Sequence, residues 1–459
     1  MSKNNYLDTS SYFRIIDNPD VNDFLSECDY LREPSDFEIE EILSEFISVD
    51  FNDVELPNNI ISIDSDLYEA SIRKELPYTN VGYVKVASSL LQKSQYSSVS
   101  NNHFVDPFKI AKITKEKEEI MAVLPCSNVS YKKQLSAKDS FRLALEDFFD
   151  SIKTKSGDNE YTLKETLFWL CSLREKCDEE KIFLHKCPTC GKEDIPIFNI
   201  KEKQLCPHCD AYIYTTDCLR IYEAVQEDGL SNQAALGRLK VALKHIYLAH
   251  LLRTIKESNK DTYLSIFENM VLIINGTLSI AGQPAWIYAS MMKIIYDINQ
   301  ALLDKGKRPL CIIGLVNNGN IYNFVDMIKN NLKNSTIMSV TDDFRDKYID
   351  FNRVASSTTF GAETYYGQDF IYKSKKGKAF VFDLPYPFPN KNNKEIFKTE
   401  KSKIEYYSKI LPFAIKVIDE FDCDLSEGKI VPVVLSEKYT AISLEPGATV
   451  LDLLTKMHV

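Results

Sequence analysis

Four cysteines constrain this chain more than any other residues. Cys187, Cys190, Cys206 and Cys209 form two C-x2-C pairs separated by fifteen residues, within CPTCGKEDIPIFNIKEKQLCPHC. Two residues between the thiols of a pair let one knuckle aim both at the same ion, and two knuckles complete a tetrahedral zinc site. Four protein ligands leave no open position for substrate, so the expected zinc is structural. Its binding, about 10–16 kcal/mol, is comparable with a whole domain's stability of about 5–15 kcal/mol, so the segment is expected to need its metal to fold. His208 lies between ligands but lacks a second histidine at finger spacing, and it stays outside the set. Ribbons of this kind touch nucleic acid or protein, and the spacing does not choose between them.

The metal-ligand spacing also favours a reducing, cytoplasmic setting, since eleven cysteines, an odd number, do not form an obvious disulfide framework. No stretch of about eighteen apolar residues suggests a membrane span. The opening MSKNNYLDTSSYFRIIDNPD has no apolar core with a cationic flank and does not read as a secretory signal. The net charge of −11 is localised: residues 1–55 hold fifteen acidic and three basic side chains, while the rest of the chain is nearly neutral. We expect 1–55 to be an acidic, solvated extension with helical patches such as DFEIEEILSEFI; docking onto a basic partner is the alternative. A neutral body permits a local basic groove without arguing for one.

Along the remaining chain, apolar periodicity predicts a strand at 58–64 (NNIISID) and a neighbour at 80–91. Two helices are expected within 136–177, the first capped by Ser136 with Asp139 three residues on. A long helix over 231–257 carries Leu236, Leu239, Leu243, Ile246 and Leu251 at helical spacing. A strand at 270–274, a helix at 284–304, a strand at 309–316, a hairpin over 369–388 around KSKKGK and a last strand in KIVPVVLS complete the reading. The expected class is α/β. Its core falls at 56–180 and 216–459, with the ribbon inserted at 181–215.

Seven short stretches follow one another in a recognisable order: IISIDSDLYEA, CDAYIYTTDCLRIYE, LGRLKVALKHIYLAHLLR, INGTLSIAGQPA, CIIGLVNNGNIYNF, AETYYGQDFIY and DLPYPFP. Together, over about residues 58 to 455, they resemble the NurA family, in the bacterial branch that carries a zinc-ribbon insertion. The resemblance implies a ribonuclease-H-like α/β core and a manganese-dependent DNA nuclease. It also implies a homodimer joined to a hexameric HerA-type DNA-translocating ATPase, serving DNA-end processing and repair or defence against phage DNA.

Residue by residue, the carry-over is incomplete. Asp64 stands where the family has its first metal-binding aspartate, at the end of the first strand, with Ser65 in place of a glycine. Asn275 stands where the family has the aspartate of an Asp-Gly-Pro-Leu-like turn. Lys244 replaces the glutamate of the long helix, and Glu437 a late histidine. Val316 and Asn317 replace a Glu-Lys pair. Hard ions such as Mg²⁺ or Mn²⁺ want charged oxygen ligands. An asparagine adds no charge, and a lysine ammonium repels the ion. Two readings follow: an adaptor or DNA-guiding subunit with an eroded nuclease site, or a working nuclease using a shifted carboxylate set drawn from Glu69, Glu223 and above all Glu257. Asp64 as a plain turn residue is the bland alternative. In either case Tyr365, Tyr366, Lys373, Lys375, Lys376 and Lys378 are candidate contacts to a DNA backbone, the alternative being an ordinary exposed hairpin tip.

Overall fold

The structure, a computed structural model, describes residues 18–28, 33–51, 54–73, 76–97, 117–134, 136–156, 159–227, 231–350, 359–423 and 427–457. The first seventeen residues of the acidic extension therefore lie outside the described residues. Nine strands of these residues form one mixed sheet. They are β1 (Ile47–Ser48), β2 (Asn59–Arg73), β3 (Leu76–Gln92), β4 (Lys117–Pro125), β5 (Met270–Asn275), β6 (Cys311–Val316), β7 (Thr336–Ser339), β8 (Gly367–Lys373) and β9 (Ala379–Pro385). Their order across the sheet is β1-β7-β8-β9-β6-β5-β2-β3-β4. β5 runs parallel to both β6 and β2, and the remaining neighbours are antiparallel.

β5 and β6 read as unbroken apolar runs because both of their faces are covered. On one face Leu272, Ile274 and Ile312 join a core with helix α3 (Gln233–Ser258) and helix α4 (Ile287–Asp304). That core also takes in helices α1 (Ala137–Ser151) and α2 (Leu163–Ser172). On the other face Val271, Ile273 and Ile313 pack with helix α5 (Leu411–Phe421) and helix α6 (Val431–Thr440). Helix α7 (Gly447–Met457) lies against the far end of β2 and β3 through Leu451 and Tyr83. The predicted Ser136 cap is present, its hydroxyl accepting from the Asp139 amide at 2.9 Å. Among the described residues no helix is long and apolar enough to cross a membrane.

The structure corrects the sequence reading in two places. KIVPVVLS is not a strand but the start of α6. Pro432 falls in the first helical turn, where its missing N–H costs nothing. Val431, Val433 and Leu435 then bury themselves on the sheet, so packing overrides the β-preference of a β-branched run. The acidic extension, in turn, is not wholly solvated. Its segment Asp36–Ser44 is a helix closed by a Ser35–Glu38 capping box, and it buries Ile42 against Val316, Phe324 and Val325. Ile47 and Ser48 then add an edge strand beside Ile337 and Thr336.

The cysteine segment forms two short hairpins, Lys181–Lys186 with Glu193–Phe198 and Gln204–Leu205 with Tyr212–Ile213. Its two knuckles are the same turn used twice. Gly191 donates to the Cys187 carbonyl as Asp210 donates to that of Cys206, both at 3.0 Å, and both residues take positive φ, +74° and +54°. The four sulfurs lie within 4.8 Å of one another, with Cys187–Cys209 at 3.8 Å and Cys190–Cys206 at 3.9 Å. A tetrahedron with zinc–sulfur bonds of about 2.3 Å has edges of about 3.8 Å, so the set fits zinc. Ile182, Leu184, Ile195, Ile197 and Ile213 of this segment belong to the same buried cluster as Phe168, Leu170 and Leu219.

Because the cysteine segment shares the main core, a metal held there would support more than the segment itself. Purified protein is expected to carry one zinc per chain, and Cys187→Ser or Cys206→Ser to lose soluble expression rather than activity alone. Elemental analysis and soluble yield check this. A folded, zinc-free preparation would remove the metal from the account.

Candidate functional site

β2 and β3 outrun the rest of the sheet. Ile63 is the last β2 residue paired with β5, opposite Ile274, while β2 continues to Arg73 beside β3. Asp64 therefore sits not at the end of its strand, as expected, but at the step where β5 stops and β2 goes on. A cleft of about 700 Å³ opens at that step. Its walls are β2, α3, α6 and the turns that follow β5 and β6.

The turn after β5 is held by backbone contacts and by residues behind it, with Gly276 itself lining the cleft. Gly276 takes φ +112°, and its amide donates to the Leu315 carbonyl at 2.8 Å. Gly314 on β6 leaves room for it, since a Cβ there would meet the Gly276 oxygen at 2.9 Å. The Leu278 amide donates to Oδ2 of the buried Asp383 at 2.7 Å. Burial, with Asp369 paired opposite on the neighbouring strand, holds the Asp383 carboxyl well above its usual range. Tyr366 closes the turn from the far side: its amide donates to the Leu278 carbonyl at 2.8 Å, and its hydroxyl meets His245 Nδ1 at 2.7 Å. His245 is buried beside Lys244, and both effects push its pKa down to about 3, so the ring is neutral.

Four positions far apart in sequence, Asp64, Lys244, Asn275 and Glu437, meet in this cleft. Asn275 is at its centre. Its Nδ2 donates to Asp64 Oδ1 at 3.0 Å and to Glu437 Oε1 at 2.9 Å, and its Oδ1 accepts from Asn317 Nδ2 at 2.7 Å. The second oxygen of Asp64 accepts from the Thr440 hydroxyl. Glu437 also accepts from Lys429 Nζ, at 2.6 and 2.8 Å. Lys244 reaches in from α3 and donates to the main-chain carbonyl of Asn275. Its burial, reinforced by Lys240 and opposed by Asp64, lowers its pKa to about 8.

This donor set does not fit a divalent ion. Between the two carboxylates, where a cation would be needed to relieve their repulsion, the Asn275 amide donates instead, and an ammonium stands directly behind it. Among the described residues, the four cysteines are the one group of three or more histidine, cysteine or acidic side chains whose ligand atoms converge. The shifted carboxylate set is not assembled either. Glu257 lies thirteen residues beyond Lys244 on the same helix, roughly 20 Å away at 1.5 Å per residue, and pairs with Arg253 at 2.7 Å. Glu69 accepts from the Asn232 amide, and Glu223 pairs with Arg220.

Of the tyrosines and lysines expected as DNA contacts, Tyr366 and Lys373 are buried, while Tyr365 and Lys378 are half-buried. Tyr366 is fully buried in the role just described, and Tyr365 packs on Phe360 at 4.7 Å and bridges to Ser279. Lys373 is buried and donates to the Lys329 carbonyl at 2.6 Å. Lys376 and Lys378 reach the carbonyls of Asp422 and Cys423. Lys375 and Lys376 are the two exposed lysines at the tip. Sequence reasoning missed Thr440, Lys429 and Asp66, whose Oδ2 accepts from the amides of Ile442 and Ser443. The spacing of Glu437 and Thr440, three apart, puts both on one face only in a helix, and the sequence reading assigns a strand to the residues just before them, 429–436, and no element to these two.

Lys244 gives a measurable signature. Its folded-state pKa lies below its ordinary value, so the folded protein binds fewer protons than the unfolded chain between about pH 8 and 10.5, and this group favours folding more as pH rises through that window. Lys244→Met is expected to raise stability at pH 7 by up to about 3 kcal/mol, with the gain shrinking toward pH 10. Denaturant titrations across that range check the slope.

No family model matches the chain, and no curated protein matches it. Solved structures similar to it include "Crystal structure of the NurA nuclease from Sulfolobus solfataricus", at 8% identity and a TM-score of 0.35, covering 98% of this chain and 97% of that one. Another is "Crystal structure of NurA", at 8% identity and a TM-score of 0.28, covering 97% and 96%. Likenesses this distant transfer no activity to the chain.

Proposed function

We propose that this chain is a NurA-like subunit that guides DNA for a HerA-type ATPase and has given up metal-dependent cleavage. The observation that carries the reading is the Asn275 amide bridging Asp64 and Glu437, with the Lys244 ammonium behind it. Hydrolysis of a phosphodiester by this route needs ions that generate hydroxide and steady the leaving oxygen. Here an amide and an ammonium occupy that ground, and the carboxylates are already satisfied from within. The order of the seven sequence stretches supports NurA-like, ribonuclease-H-like descent, as does the meeting of the four matching positions in one cleft. A homodimer set over a hexameric ATPase, acting in DNA processing or phage defence, is the assembly that this reading implies. Long-range attraction between the acidic extension and a basic ATPase rim would speed its formation and weaken with salt.

The isolated protein is expected to show little or no cleavage of linear DNA with manganese. Strong cleavage abolished by Asp64→Ala would overturn the reading. Asn275→Asp combined with Lys244→Glu replaces the bridging donor and the ammonium with carboxylates. That variant is expected to gain a manganese-dependent rise in melting temperature that the natural chain lacks. Co-expression with a HerA-type ATPase, followed by size-exclusion chromatography with light scattering, tests the assembly. A strictly monomeric chain that binds no such ATPase would favour a stand-alone DNA-binding protein.

A further inference from the structure

On the α3 side of the cleft, two lysines and one serine line the same corner. α3 runs antiparallel to β2, and two contacts fix how they align. Leu236 packs where a Cβ on Gly82 would lie 2.6 Å from its Cδ2, and Gly82 pairs with Glu69. Eleven residues on, the Tyr247 hydroxyl meets Ser88 Oγ at 3.0 Å, and Ser88 pairs with Ile63. Lys240 and Lys244, one helical turn apart between these anchors, therefore stand at the level of Ser65. Ser65 faces them. Its same-face neighbours on β2, Ile63 and Leu67, pack with Leu239 and Leu243 of α3, whereas Asp64 points the other way, to Thr440 on α6. All three residues line the cleft.

Ser65 is 7% exposed, and its hydroxyl oxygen is buried with no hydrogen-bond partner. A buried hydroxyl left unpaired destabilises the fold unless something entering from outside bonds to it. Lys240 is half-buried, with no partner among the described residues. Lys244 has used one of its three donor hydrogens on the Asn275 carbonyl. The nearby carboxylates are already engaged: Asp64 and Glu437 by the donors described above, and Asp66 by the amides of residues 442 and 443. The corner thus offers two ammonium groups and a hydroxyl; Asp64 acts on the Lys244 charge, but its oxygens are already bonded to Asn275 and Thr440.

We propose that Lys240, Lys244 and Ser65 form a metal-free seat for a phosphate group. A tetrahedral oxyanion can accept from three donors lining one corner, and its charge matches two cations held in a partly buried place. The seat stands whether or not the chain guides DNA for an ATPase, because it rests on these three residues alone. Its phosphate would come either from a nucleic-acid strand or from a small phosphorylated molecule. Occupancy would supply the hydrogen bond that Ser65 lacks and keep Lys244 charged. Binding should therefore weaken as pH rises through about 8, the pKa of the empty site.

Calorimetric titration of the zinc-loaded protein, without added divalent metal, tests this with inorganic phosphate, a 5′-phosphorylated oligonucleotide and its unphosphorylated twin. Preference for the phosphorylated strand identifies a terminal phosphate, equal binding of both strands a backbone phosphate, and binding of inorganic phosphate alone a small-molecule source. In each case Lys240→Met is expected to weaken binding at least about tenfold, and Ser65→Ala several-fold, with melting temperatures confirming that both variants fold. No binding by any of the three probes, or affinity unchanged in both variants, overturns the seat. The cleavage assay is separate, so failure here leaves the guiding reading standing.

Discussion

Two carboxylates aimed at one point repel each other unless a cation, a proton or a hydrogen-bond donor stands between them. At the end of β5 that intermediary is the side-chain amide of Asn275, donating to Asp64 on one side and Glu437 on the other. The rest of the cleft follows from this choice. With the amide in place no external ion is needed, so a lysine can approach from α3 without displacing one. The spare oxygen of Asp64 can be closed by Thr440, and Lys429 can neutralise Glu437 from the opposite side. An aspartate at 275 would put three negative groups within hydrogen-bond distance of one another, and the same scaffold would then demand a cation.

Much of this was legible in the chain itself. The apolar run MVLII and the long helix around LKVALKHIYL identified β5 and α3 because periodicity reports burial directly. The ordered stretches put Asp64, Lys244 and Asn275 on the right elements. What escaped was set by packing. The β-branched KIVPVVLS reads as a strand by local preference, yet it became α6 because Pro432 suits a helix start and its apolar residues had a sheet to cover. A strand ending at Ser436 gives no reason to expect the helix to run on to Thr440. Tyr366 and Lys373 looked like surface residues because tyrosine and lysine commonly are. Each is buried here because a partner, His245 or the Lys329 carbonyl, meets its polar end.

The ribbon carries a related lesson about domains. Composition marks it as a separate insertion, and its cysteines define a site of their own. Its isoleucines nevertheless belong to the same apolar cluster as α2 and the residues around Leu219. The acidic extension behaves similarly from residue 36 onward, where one buried isoleucine and a two-residue edge strand tie it to the sheet. Boundaries drawn from charge or cysteine content mark changes in chemistry, and the core runs across them.

The turn that carries Asn275 owes its shape to Gly276, Gly314, the Leu315 carbonyl and the buried Asp383, none of which contributes a side chain to the cleft. Shape and chemistry at this position are therefore specified by separate sets of residues. A lineage can exchange the side chains that face the cleft one at a time without risking the backbone that presents them. The geometry of the turn can in this way outlast a change in the chemistry it presents, and the same scaffold stays open to a later exchange in the other direction.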